Sequence, residues 1–246
     1  TLRASYPLTE RWRHGLRFTV RQDEITDVDE DASEFIQDEE GENLTVLVGQ
    51  EFTYDVRDTR FLPSDGYLIR LDQDIAGLTD TKFIRHEATG SYYYPFTPNF
   101  VLNLAGRVGY IFGYGGEDVR LFDRFFLGGQ TLRGFKFAGV GPRDVTTNDA
   151  LGGNLLYTGT AEQRFPLGLP EELRMFGRVF VEAGTLTDSD ASGPTVADSG
   201  NIRASAGVGL SWLSPLGPIA IDLSQAFLKE SEDETEFFRI SFGTRF

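Results

Sequence analysis

"VLNLAGRVGYIF", residues 101–112, places Leu102, Leu104, Val108, Tyr110 and Phe112 on one side and Asn103, Ala105, Arg107 and Gly109 on the other. A period of two marks a strand whose two faces meet different surroundings. The pattern returns in "IRASAGVGLSW" (202–212), where Ile202, Ala204, Ala206, Val208, Leu210 and Trp212 oppose Arg203, Ser205, Gly207, Gly209 and Ser211. "PIAIDLSQAF" sets Ile219, Ile221, Leu223 and Phe227 against Ala220, Asp222, Ser224 and Ala226. The final "EFFRISFGTRF" sets Phe238, Ile240, Phe242 and Phe246 against Arg239, Ser241, Gly243 and Arg245.

Eleven such segments are expected, at 2–8, 15–22, 44–56, 66–75, 82–94, 101–112, 154–165, 174–186, 202–213, 218–228 and 237–246. Many are long enough to cross a bilayer obliquely. A soluble β-sandwich would alternate too. Two further features point to a membrane barrel. The polar faces carry Gly, Ser, Arg and Glu, which suit a wet lumen. The connections are also of two kinds: tight proline-bearing turns such as "RFLPSDG" and "LSPLGP", and long polar links at 23–43, 113–150, 187–201 and 229–236. Short turns on one side and long loops on the other are the pattern of outer-membrane barrels.

Composition agrees. Of 246 residues 40% are hydrophobic, with 21 Phe, 9 Tyr and 28 Gly. Low bulk hydrophobicity with many aromatics fits strands that hide one face in lipid. No apolar run is long enough for a transmembrane helix. "TLRASYPLTERW" lacks the basic and apolar regions of a signal peptide, so the expectation is a mature chain or a fragment. The absence of cysteine excludes disulfides and Cys-based metal sites. The net charge of −15 argues against nucleic-acid binding. Much of that charge lies in 23–42, "DEITDVDEDASEFIQDEEGE", which holds eleven acids and no Lys or Arg. Such a block reads as a solvated, mobile loop, with a divalent-cation site as the sharper alternative.

The segment "FFLGGQTLRGF" (125–135) is too irregular for a strand and sets one cation, Arg133, among aromatics and glycines. Gly128, Gly129 and Gly134 permit positive φ and close packing, and read as support for the loop. Glu162 shares the polar side of its strand with Thr158, Thr160 and Arg164, and Glu182 opposes Val179, Val181 and Ala183. Both acids therefore point inward. The two histidines, His14 and His86, have no catalytic or metal-ligand partners at useful spacing, so no catalytic residue, metal or cofactor is expected.

With "GVGPRD", "LGGN", "AEQRFP", "VFVEAGTL" and "WLSPLGPIAIDLSQAF" in order after that loop, the chain resembles the BamA-type outer-membrane assembly proteins from about Asn43 to Phe246. The resemblance implies an all-β antiparallel transmembrane barrel. About 11 strands of a family 16 would be present, without the first strands or the periplasmic POTRA domains. It implies that residues 113–150 fold into the lumen and that Leu132, Arg133, Gly134 and Phe135 form the motif whose arginine meets Glu162 and Glu182. It implies a seam at the last strand, with Gly243 at its bend and Phe242 and Phe246 facing outward, through which nascent outer-membrane proteins are inserted. Accessory assembly lipoproteins and outer-membrane lipids are the other partners implied. The C-terminus would be periplasmic and the long loops extracellular. The readings set against this are a translocation-assembly or two-partner secretion transporter of the same superfamily, and a passive porin.

Overall fold

The computed structural model describes residues 1–79, 81–215 and 217–243. Its strands are β1 (Leu2–Pro7), β2 (Trp12–Ile25), β3 (Gly41–Asp55), β4 (Gly66–Ala76), β5 (Phe83–Thr97), β6 (Phe100–Gly113), β7 (Arg143–Asp144), β8 (Leu155–Pro166), β9 (Met175–Thr187), β10 (Val196–Ala197), β11 (Arg203–Ser214), β12 (Gly217–Leu228) and β13 (Phe238–Phe242). Eleven of them form one antiparallel sheet in the order β1-β2-β3-β4-β5-β6-β8-β9-β11-β12-β13; β7 and β10 form a separate small pair. The sheet is not closed: among the described residues β1 and β13 are unpaired with each other.

Every neighbour follows from a hairpin, so connections alternate between two ends. One end carries short turns such as 8–11 and 98–99, and the other carries the links 26–40, 114–154, 188–202 and 229–237. The sheet's register places Arg107, Thr158, Gly184 and Arg203 in one inward row. The opposite face is an apolar outer surface: Leu104, Val108, Val181, Val208 and Ile240 are all exposed. At the short-turn end Trp12 lies 4.8 Å from Tyr54, and Tyr54 lies 5.7 Å from Tyr67, as ring centroids. Aromatics gathered there match an interfacial girdle. One outward row breaks the rule: Gln50 donates to Gln73 at 2.7 Å, and Gln73 meets His86 Nδ1 at 3.1 Å.

The inner face is less uniformly polar than alternation alone predicts. Ile111, Leu156, Leu186 and Phe83 point inward and are buried against Phe125, Leu127, Leu132, Phe135 and Val140 of the 114–154 link. A loop that folds against a wall needs an apolar seat there, because its own apolar side chains must leave water. The core therefore lies between the wall and this link.

The acidic segment differs from the expected solvated loop. β2 runs on to Ile25 and β3 starts at Gly41, and a short helix, α1 (Glu34–Gln37), forms between them. Ser33 donates its hydroxyl to Asp144 at 2.7 Å and its amide to Asp149 at 2.8 Å. Glu39 accepts from Arg120 at 2.6 Å and from the Leu121 amide at 3.0 Å. Charge in this segment is thus partly spent on docking, and no acidic group capable of holding a metal is found among the described residues.

Candidate functional site: an arginine clasp on the inner wall

The link after β6 makes a 3-10 turn at Leu121–Asp123 and then narrows through isolated bridges, Phe125 to Gly153 and Leu127 to Val140. Its tip is a closed turn. Gly129 N donates to Phe135 O at 2.9 Å, and Thr131 Oγ1 donates to Gly128 O at 2.8 Å. Gly128 and Gly129 hold φ of +127° and +64°. A Cβ at Gly128 would meet Lys136 O at 2.0 Å, so only glycine fits the turn. Gly134, at φ +91°, lies against β11: its Cβ would come 2.8 Å from that of Ser205. Leu132 and Phe135 are fully buried on either side of the arginine.

Arg133 is 8% exposed. Its Nε and Nη2 donate to Glu182 Oε1 at 2.8 and 2.6 Å, and its backbone N–H donates to Glu182 Oε2 at 2.6 Å. Nη1 donates to Glu162 Oε2 at 2.8 Å and lies 3.6 Å from Asp222 Oδ1. The guanidinium also sits 3.4 Å from the centroid of the Phe180 ring. A planar fork can satisfy two carboxylates and stack on an aromatic ring at once, which an ammonium cannot. Burial pushes the guanidinium's pKa down, but the Glu182 and Glu162 charges outweigh it and hold the pKa above its ordinary value.

Sequence reasoning placed Glu162 and Glu182 on the inner face but missed their companions. Arg178 donates to Asp222 at 2.7 Å and reaches Glu162 at 3.4 Å. Arg133 and Arg178 thus face Glu162, Glu182 and Asp222 in one buried cluster. The signal was present: Arg178 and Phe180 precede Glu182 at a spacing of two, and Asp222 lies on the polar side of its strand. What alternation cannot supply is the sheet register that brings three strands' polar sides together.

A second anchor was also missed. The Phe125 ring seats over Gly109, where a Cβ would lie 2.6 Å from Cζ, and Arg85 sits 4.2 Å from its centroid. The glycine on β6 makes the notch, and the cation covers the ring.

Among the described residues the last strand's ladder with β12 runs from Phe238 to Phe242, flanked by bonds from the Ser224 amide to Phe237 O at 2.9 Å and from the Gly243 amide to Pro218 O at 3.1 Å. Phe242 is 73% exposed. Gly243 holds φ +122°, with no described residue within 4 Å of a Cβ built there. Phe246 lies outside the described residues.

The arrangement can hold a loop inside a wall. Comparisons agree with such a scaffold. The Omp85 superfamily domain model matches residues 1–246. The chain is 38% identical over 241 residues to the outer membrane protein assembly factor BamA of Neorickettsia risticii (strain Illinois), covering 97% of this chain and 32% of that protein. It is 30% identical over 152 residues to the sorting and assembly machinery component 50 homolog A of Xenopus laevis, covering 61% of this chain and 32% of that protein. The chain thus spans about a third of the length of these curated relatives. The crystal structure of BamA from Haemophilus ducreyi lacking POTRA domains 1-3 superposes with a TM-score of 0.79 at 22% identity, over 97% of this chain and 52% of that one, which establishes the shared fold. With the family model matched from end to end, this chain belongs to the Omp85 superfamily.

Proposed function

We propose that the chain is the carboxyl-terminal barrel portion of an outer-membrane protein assembly factor, which inserts and folds nascent barrel proteins through a seam at its last strand. The observation that carries this reading is the clasp. Arg133 of "LRGF" is held by Glu162 and Glu182 inside the wall, in a chain whose relatives are named as assembly factors. The segment 113–150 serves as the lumen-inserted loop, and the first barrel strands and POTRA domains precede the chain in the parent protein. The short turns and C-terminus face the periplasm, and the long links face outward.

The physical basis for insertion is a weak edge. β13 holds β12 through five residues among those described, and Gly243, at φ +122°, is still bonded to β12 through its amide to Pro218 O at 3.1 Å. A strand edge with unpaired N–H and C=O groups is a template for β-augmentation by an incoming strand. Nascent outer-membrane proteins are the substrates, with accessory lipoproteins and outer-membrane lipids as partners. No covalent chemistry is assigned.

The test is reconstitution of the full-length protein in liposomes, with folding of a client barrel followed by its heat-modifiable mobility. Accelerated client folding that falls in Arg133→Ala supports the reading. Steady single-channel conductance without any acceleration would replace it with a passive pore.

A further inference from the structure

The link between β12 and β13 is held on both flanks. Arg203, at the long-loop end of β11, pairs with Asp233 at 3.0 Å, and the two side chains are 5% and 2% exposed. Arg203 Nη1 also donates to Asn201 O at 2.6 Å and Ser199 Oγ at 3.1 Å. Asp233 accepts from the Glu230 amide at 2.7 Å. The next residues pair like a strand with the arginine loop. Glu234 N donates to Gly139 O at 2.9 Å, Lys136 N donates to Glu234 O at 2.9 Å, and Glu236 N donates to Gly134 O at 3.0 Å. Phe135 and Thr235 are bridge partners between them. These bonds begin one residue from Arg133 and end two residues before β13.

We infer that Arg203 and Asp233 are positioning residues for the last strand: by fixing the link, they keep residues 234–236 paired to the loop that carries Arg133, so that loop and strand shift together. The proposal rests on the reading of β13 as the working edge. Its physical ground is the shortness of the connection. Two residues of extended chain have little slack, so the clasp cannot leave Glu182 without drawing on the start of β13. The ion pair is what makes the link rigid at its other end, because either partner alone would be a buried, uncompensated charge.

The experiment uses the full-length protein in bilayers and reads amide hydrogen exchange together with client folding. Asp233→Asn should speed exchange at the Glu234, Glu236 and Lys136 amides about tenfold, while amides in β9 and β11 stay slow. Client folding should slow several-fold, and Asp233→Glu, which keeps the charge, should recover most of both effects. Unchanged exchange in Asp233→Asn and in Arg203→Ala would overturn the proposal. So would faster exchange with client folding at the wild-type rate. A wild-type protein that folds no client would sink the assembly reading instead, and the exchange data would still decide whether the tether exists.

Discussion

Arg133 gives Glu182 three hydrogen bonds, one from its backbone N–H and two from its guanidinium, so a single carboxylate fixes both the course of the loop and the direction of its side chain. Removing the side chain leaves Glu162 and Asp222 to Arg178 and strips Glu182 of its guanidinium bonds. Breaking a buried ion pair from one side costs about 3–5 kcal/mol. Arg133→Ala should therefore free the loop, and residues 113–150 should become sensitive to protease in the folded protein. Arg133→Lys should restore little, since an ammonium cannot fork between two acids.

Gly128 of the loop tip and Gly243 after the last strand differ in what they tolerate. At Gly128 an added methyl meets a carbonyl oxygen of the backbone, whereas at Gly243 it meets no described residue within 4 Å. Both carry positive φ, a strain of about 1–2 kcal/mol for an L-residue. Gly128→Ala should therefore lower the thermal midpoint of mobility shift clearly more than Gly243→Ala does.

Phe125 and Gly109 form a knob and notch. Phe125→Ala should cost about 3–5 kcal/mol, the range for losing a buried phenyl group. Gly109→Ala should unseat the same ring by filling its notch. Combining Gly109→Ala with Phe125→Leu should destabilise less than the sum of the two single changes, because the smaller side chain accommodates the methyl. Denaturant titrations of the four proteins measure this coupling.

Acid should loosen a turn before it affects the wall. Asp58, between β3 and β4, is pushed up by partial burial, but the Ser64 hydroxyl at 2.5 Å and the Ser64 and Thr59 amides outweigh this. Its pKa falls from 3.8 to about 2. A depressed carboxyl value stabilises the folded turn fully above the unfolded pKa, and that stability is lost as pH drops through the folded one. The protection of the Thr59 and Ser64 amides, measured against the exchange of an unstructured chain at each pH, should fall between pH 3.8 and about 2. Asp58→Asn should abolish that fall.

The wall was legible because alternation reports directly on which face a residue takes. Leu104 and Val108 point outward and Arg107 inward, as their spacing requires. Edges of elements were less so: β2 extends to Ile25 because its ladder with β3 continues into the acidic run, where charge suggested a loop. The clasp was half legible. Glu162 and Glu182 declare themselves by parity, but Asp222 joins them only through a register across β8, β9, β11 and β12. The docking of Ser33 on Asp144 spans 111 residues and leaves no local trace.

The central claim is that the loop carrying Arg133 lies inside the wall. Cysteines at Gly134 and Ser205 test it most directly, since their Cβ positions sit 2.8 Å apart and the chain has no cysteine of its own. A small relaxation brings such a pair to disulfide spacing. Oxidation in membranes should link the two, seen as a reducible mobility shift of the unfolded chain, just as a reference pair at the facing, outward strand positions Val208 and Leu223 should link. Efficient linking of the reference pair with none between residues 134 and 205 would place the loop outside and contradict the account.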